Sequence, residues 1–120
     1  MKILRPSEIP IEVQHQPLFV GESSMQPLID KGTSKDFWSC LRHWAAGTRA
    51  KYHTHSSDQI IIVTEGRGMM TTEKGMVVVA PGEIIFIPAG EKHWHGATKD
   101  AGVAYIQVQA ADSKTVQLED

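Results

Sequence analysis

The chain carries one cysteine, Cys40, in 120 residues, which rules out an intrachain disulfide and makes a reducing compartment the natural expectation. An excess of charge is also lacking. Twelve Lys and Arg against fourteen Asp and Glu leave a formal net charge of −2, so electrostatics give no case for nucleic acid or an anionic membrane as partner. Long apolar runs are missing: "IIIV" at 60–63 and "MVVVA" at 76–80 are far shorter than a bilayer span. The opening "MKILRPSEIPIEV" is broken by Pro6, Glu8 and Pro10 before any apolar segment develops, so the expectation is no secretory signal and a cytoplasmic location. There is no internal repeat and no low-complexity stretch, and the length fits one domain with one core.

What the chain does have is turn chemistry. Gly32, Gly47, Gly66, Gly68, Gly75, Gly82 and Gly90 recur with Pro27, Pro81 and Pro88, leaving few segments that could hold an ordinary helix. The pattern predicts an all-β domain with strands near 18–22, 24–29, 36–46, 50–55, 58–65, 68–72, 75–80, 84–87, 93–98 and 102–109. "TEKGM" reads as a hairpin turn and "APGE" as a Pro-Gly turn. Short strands at this spacing favour a sandwich or barrel over 18–110, after an N-terminal segment, 1–17, and before a polar, loosely ordered tail, 111–120. Several strands are apolar on both faces: Ile60 to Val63, Val77 to Val79 and Ile84 to Ile87. A second sheet can cover one side. The other awaits a partner subunit, hence an expected homodimer, or loops and the N-terminal segment.

The residues that could do chemistry cluster in two stretches. In "KYHTHSSDQIIIVTEG", His53 and His55 share a strand face, "SSD" can turn the chain, and Gln59 opens the next strand. In "PAGEKHWHGA", His93 and His95 again share a face. His95, beside His93, is a candidate to donate or accept a proton. Trp94 points the other way and reads as packing.

The spacing Gly47-x5-His53-x-His55-x3-Gln59-x6-Gly66 resembles the first motif of the cupin family, with Gln59 where most members carry glutamate. Gly82-x5-Pro88-x-Gly90-x2-His93 resembles the second, with Ala97 where asparagine is common. The resemblance implies a cupin-type β-barrel or jelly roll holding a divalent metal through His53, His55, Gln59 and His93. Together with "FVGESSMQPLI", the motifs look like those of the small bacterial cupins that include manganese-dependent hydroxynitrile lyases. On these family grounds manganese or iron is the expected ion, with nickel and zinc also compatible with the donors.

Three imidazoles and one amide oxygen are all neutral, so a divalent ion there would keep its full +2 charge, act as a strong Lewis acid and attract anions. In "DFWSCLRHWA", Trp38, Cys40, Arg42 and Trp44 alternate with Phe37, Ser39, Leu41, His43 and Ala45. The resemblance implies that the first set faces the cavity, making Cys40 and Trp44 substrate-binding candidates. Arg42 stands where the lyase-like cupins have a small or apolar residue. Inside the pocket it would need an anion; at the rim it would reach solvent or an acid. In "VAYIQVQA", the resemblance points Tyr105 and Gln109 inward, Tyr105 as a proton-moving group and Gln109 as a substrate contact. The catalytic candidates are thus His95, Tyr105 and Arg42, acting on a small molecule that is anionic if Arg42 enters the pocket. Three function classes follow: a metal-dependent lyase or isomerase, an iron or nickel dioxygenase, and a binding module without turnover. Cys40 has no acid–base partner in sequence, so a nucleophilic role is not expected.

Overall fold

Thirteen short strands and one 3₁₀ turn, Pro6–Glu8, form the chain, and the computed structural model describes all 120 residues. In chain order they are β1 (Glu12–Gln14), β2 (Phe19–Val20), β3 (Ser23–Ile29), β4 (Phe37–Trp44), β5 (Arg49–Ala50), β6 (His53–His55), β7 (Gln59–Gly66), β8 (Gly68–Thr72), β9 (Gly75–Val79), β10 (Ile84–Ile87), β11 (His93–Ala97), β12 (Val103–Ala110) and β13 (Thr115–Gln117). One sheet runs β1-β3-β4-β12-β7-β10. The other runs β13-β6-β11-β5-β2, with β8 also paired to β11 and β9 paired to β8. The result is the all-β, two-sheet barrel expected from the turn pattern. No helix is long and apolar enough to cross a membrane.

Alternation along the strands decides what faces inward. On β7, Gln59, Ile61 and Val63 are buried while Ile60 is exposed. On β12, Val103, Tyr105, Gln107 and Gln109 are buried and stand opposite Trp44, Arg42, Cys40 and Trp38 of β4. The apolar core includes Trp44, Ile61, Val63, Val103 and Tyr105 of one sheet and Met70, Val79 and Ala97. Each fully buried aliphatic side chain there contributes about 1.5–3 kcal/mol.

The two-faced apolar strands are covered on the inside only. Register places Phe86 against Ile60 and Ile84 against Ile62, and Ile60, Ile84 and Phe86 remain exposed on the outer face of the single chain. The N-terminal segment covers a different part of that sheet. Gln26 on β3 donates from Nε2 to the carbonyls of Pro6 and Ile9, tying the 3₁₀ turn down.

Every expected strand is present, with three corrections at the boundaries. The strand expected over 50–55 is two strands, because the chain turns at Lys51 and Tyr52 to serve β2 on one side and β13 on the other. The 1–17 segment contributes β1 to the sheet through pairing with β3. The 111–120 tail is not loosely ordered. Its β13 pairs with β6, and Glu119 forms a two-armed ion pair with Arg49, Nη2 to Oε1 at 2.6 Å and Nη1 to Oε2 at 3.0 Å. Glu119 also accepts from the Tyr52 backbone N–H. These hydrogen bonds, from Arg49 first, hold its carboxyl down at about 2.

Two glycines make different demands. Gly47 and Gly66 both have positive φ, at +79° and +76°. A Cβ on Gly47 would meet nothing, whereas one on Gly66 would sit 1.9 Å from the Gly102 carbonyl oxygen. Gly47→Ala should cost about 1–2 kcal/mol from the left-handed backbone alone, and Gly66→Ala distinctly more because backbone must move. Urea denaturation of both variants checks this, and equal losses would contradict it.

Candidate metal centre

Three strands converge on one patch of the interior. β6 supplies His53 and His55, β7 supplies Gln59 and β11 supplies His93 and His95, with His53 and His93 register partners. Ring centroids lie 4.3 Å apart for His53–His93, 4.8 Å for His53–His55 and 5.3 Å for both His55–His93 and His53–His95. Each of the four imidazoles offers a nitrogen within 4.8 Å of the others, and all four are buried.

Their protons are fixed from behind. His53 Nδ1 donates to the Lys51 carbonyl at 2.6 Å and His93 Nδ1 to the Glu91 carbonyl at 2.8 Å. A carbonyl can only accept, so in both rings the lone pair sits on Nε2. His55 Nδ1 lies 2.9 Å from Thr115 Oγ1, which can accept in the same way. Burial, reinforced by the neighbouring His93, pushes His53 down to about 3 and His55 down to about 4, and burial also lowers His93. Neutral imidazoles with outward-tied Nδ1 atoms are the form that coordinates a metal.

Gln59 completes the set. It is buried, and its Nε2 donates to Gln109 Oε1 at 3.1 Å, which orients the amide. Its Oε1 has no partner, and neither do the buried Nε2 atoms of His55 and His93. A buried acceptor left bare costs about 1–3 kcal/mol. Three bare acceptors beside the open Nε2 of His53 make an arrangement that a cation satisfies, and no acid is needed in it. The donors therefore fit a divalent metal held by His53, His55, His93 and Gln59.

His95 differs from the other three. Tyr105 Oη accepts from Trp44 Nε1 at 2.6 Å and lies 2.5 Å from His95 Nδ1. Donation from the Tyr105 hydroxyl to His95 Nδ1 gives that buried O–H its acceptor. His95 Nε2 then carries the proton and presents an N–H rather than a lone pair. Burial raises Tyr105, so its hydroxyl stays protonated, and burial together with the other imidazoles and Arg42 keeps His95 neutral.

Beside this centre opens a cavity of about 930 Å³ lined by Gln14, Phe19, Arg42, Trp44, Gln107 and Gln109 as well as His53, His55, Gln59 and His95. Arg42, Trp44, Gln109 and His95 line this cavity, which places Arg42 inside it, one of the two positions the sequence left open. Cys40 and Tyr105 do not. Both have 0% exposure and lie beneath the wall. Cys40 packs under Arg42 instead of meeting a substrate, and burial pushes its thiol up to about 11, which removes it as a nucleophile. Tyr105 acts on His95 from behind. Gln109 was expected against a substrate, and its side-chain oxygen instead holds the Gln59 amide. Trp94 points outward, under the Arg49 guanidinium at 5.0 Å from the ring centroid.

Thr115, Gln14 and Phe19 were not anticipated. Thr115 lies in a polar stretch without alternation, and the short β1 and β2 gave no period from which to place Gln14 and Phe19.

Two outcomes are expected. Thr115→Val should lower metal affinity about 10–100-fold while leaving capacity at saturating metal unchanged; chelator competition checks it, and unaltered affinity would contradict it. In the metal-free protein, His53 and His55 titrate near 3 and 4, against 6.5 for an ordinary imidazole. The unfolded chain then binds more protons between those values, so stability is complete above about pH 6.5 and is lost as pH falls towards 4. A urea midpoint lower at pH 5 than at pH 7 is expected; an unchanged one would contradict it.

The sequence matches the cupin domain family over residues 40–108. Over 72 residues it is 39% identical to an (R)-mandelonitrile lyase from Granulicella tundricola, covering 58% of this chain and 55% of that protein, so the chain matches about half the length of that relative. A shorter match, 39% over 46 residues, reaches an acireductone dioxygenase from a Synechococcus strain, covering 35% of this chain and 25% of that protein. Among solved structures, a polyketide cyclase from Streptomyces resistomycificus superposes with TM-score 0.88 at 23% identity, over 98% of this chain and 85% of that one. A cupin-like protein from Thermotoga maritima superposes with TM-score 0.84 at 21% identity, over 100% and 90%. With the barrel, both histidine motifs and the family match in agreement, the chain belongs to the cupin family.

Proposed function

We propose that the protein is a metal-dependent lyase or isomerase acting on a small oxygenated substrate, with manganese or iron held by His53, His55, His93 and Gln59. The observation that carries this reading is the bare, buried Gln59 Oε1, on an amide whose Nε2 is held by Gln109. A divalent ion bound by four neutral donors would supply Lewis acidity undiminished by ligand charge. The similarity to an (R)-mandelonitrile lyase supports cleavage chemistry without a redox step.

The chain's own residues supply the proton handling. His95 presents Nε2–H to the cavity, next to the metal donors, where it can donate to a developing negative oxygen and take the proton back. Tyr105 and Trp44 hold the imidazole in that tautomer and are positioning residues. We further propose that the exposed Ile60, Ile84 and Phe86 face is the contact of a homodimer, and that the protein works in the cytoplasm, where its single cysteine stays reduced. The match to an acireductone dioxygenase favours a second reading, an oxygen-consuming iron or nickel enzyme.

Turnover separates the two. On a panel of cyanohydrins, hydroxy acids and uronates, the lyase or isomerase reading expects the same rate with and without oxygen, and oxygen uptake in step with product would overturn it. His95→Gln should lower kcat about 10²–10⁴-fold with metal content unchanged. Gln59→Glu should tighten metal binding and weaken azide binding to the loaded protein; equal azide affinity would remove Gln59 from the ligand set.

A further inference from the structure

The charge around the cavity does not balance. Arg42 is 6% exposed and carries a guanidinium cation. Its one hydrogen bond to an oxygen runs from Nη1 to Gln14 Oε1 at 2.8 Å. None of the chain's three ion pairs involves it. Phe19 lies against the guanidinium, with Cζ 5.3 Å from its ring centroid, and holds the plane in place without neutralising it. The other charged residues lining the cavity are Lys31, Lys114 and a single acid, Asp30, all at exposed positions.

Buried guanidinium groups are ordinarily paired, because an unpaired buried charge is expensive. The neighbour that could have carried a counter-charge, Gln14, carries a neutral amide instead. Position matters as well as charge. Arg42 is the cross-strand partner of Tyr105, whose hydroxyl sits on His95, so the guanidinium and the His95 Nε2–H open onto the same cavity.

We propose that Arg42 is the carboxylate-recognition residue of this cavity and that the substrate is a small oxygenated carboxylic acid. Its carboxylate lies on the free edge of the guanidinium fork, with its oxygenated carbon toward His95. A planar fork matches a carboxylate through two parallel N–H···O bonds, which a lysine in its place could not reproduce. The inference rests on the histidine centre being the reactive end of the cavity, and it narrows the oxygenated substrate proposed above to acids, setting neutral cyanohydrins aside.

Calorimetric titration of lactate against lactamide, its uncharged counterpart, tests the proposal on both metal-loaded and metal-free protein. The wild type should bind lactate at least about tenfold tighter than lactamide in both states, as an added charge-assisted pair implies. Arg42→Met should abolish that preference in the metal-free protein, where no bound cation attracts the carboxylate, and leave metal content unchanged. Gln14→Glu, which leaves Arg42 in place and supplies an internal counter-ion, should weaken lactate about tenfold and spare lactamide. If Arg42→Met does not fold, Gln14→Glu decides alone. Equal binding of the two ligands by the wild type, or a lactate preference that survives these substitutions in the metal-free protein, overturns the proposal. Failure of the metal reading looks different: the wild type would take up no manganese or iron yet still prefer lactate through Arg42.

Discussion

The structure depends on one constraint: a set of lone pairs left buried without hydrogen-bond partners. The Nε2 atoms of His55 and His93 and the Oε1 of Gln59 have no hydrogen-bond partner, and the surrounding fold keeps them that way. Backbone carbonyls of Lys51 and Glu91 and the hydroxyl of Thr115 engage the far side of each ring, and Gln109 engages the far side of the amide. Without a cation the arrangement costs stability through unmet acceptors; with one, it becomes a coordination sphere whose geometry is set beforehand. The two sheets serve this end, since β6 and β11 come from one and β7 from the other.

Electrostatics then separate residues that look alike in the chain. Four histidines crowd together, but only three present a lone pair, because Tyr105 occupies the Nδ1 of the fourth. That single hydroxyl turns His95 from a potential ligand into a hydrogen-bond donor facing the cavity. The same interior holds no carboxylate near its centre, and its one buried charge is the positive Arg42. Neutral metal donors and an uncompensated guanidinium act in the same direction. Both would favour negative charge in the cavity.

Much of this was legible in the sequence, for identifiable reasons. Side chains two apart on a strand share a face, so once one face of β4 and of β12 was assigned to the cavity, Trp38, Arg42, Trp44, Gln107 and Gln109 followed as one inward set. The histidine pairs at i and i+2 fixed their own faces. What stayed hidden was depth. Alternation places Cys40 and Tyr105 inward but does not reveal that both end beneath the cavity wall. Pairings between distant segments were equally invisible. Thr115 reaches His55 across sixty residues of chain, and Glu119 reaches Arg49 across seventy, from a tail whose polar composition reads as loose. Composition reports what a segment can bury, and β13 is held by backbone pairing and an ion pair instead.

The most direct measurement of the central claim is a crystal structure of the manganese-loaded protein, with the ion located by its anomalous scattering. The account predicts an ion in contact with His53, His55, His93 and the Oε1 of Gln59, with His95 outside the coordination sphere and still bonded to Tyr105. An ion ligated by His95 in place of Gln59, or no ion among these side chains, would contradict it.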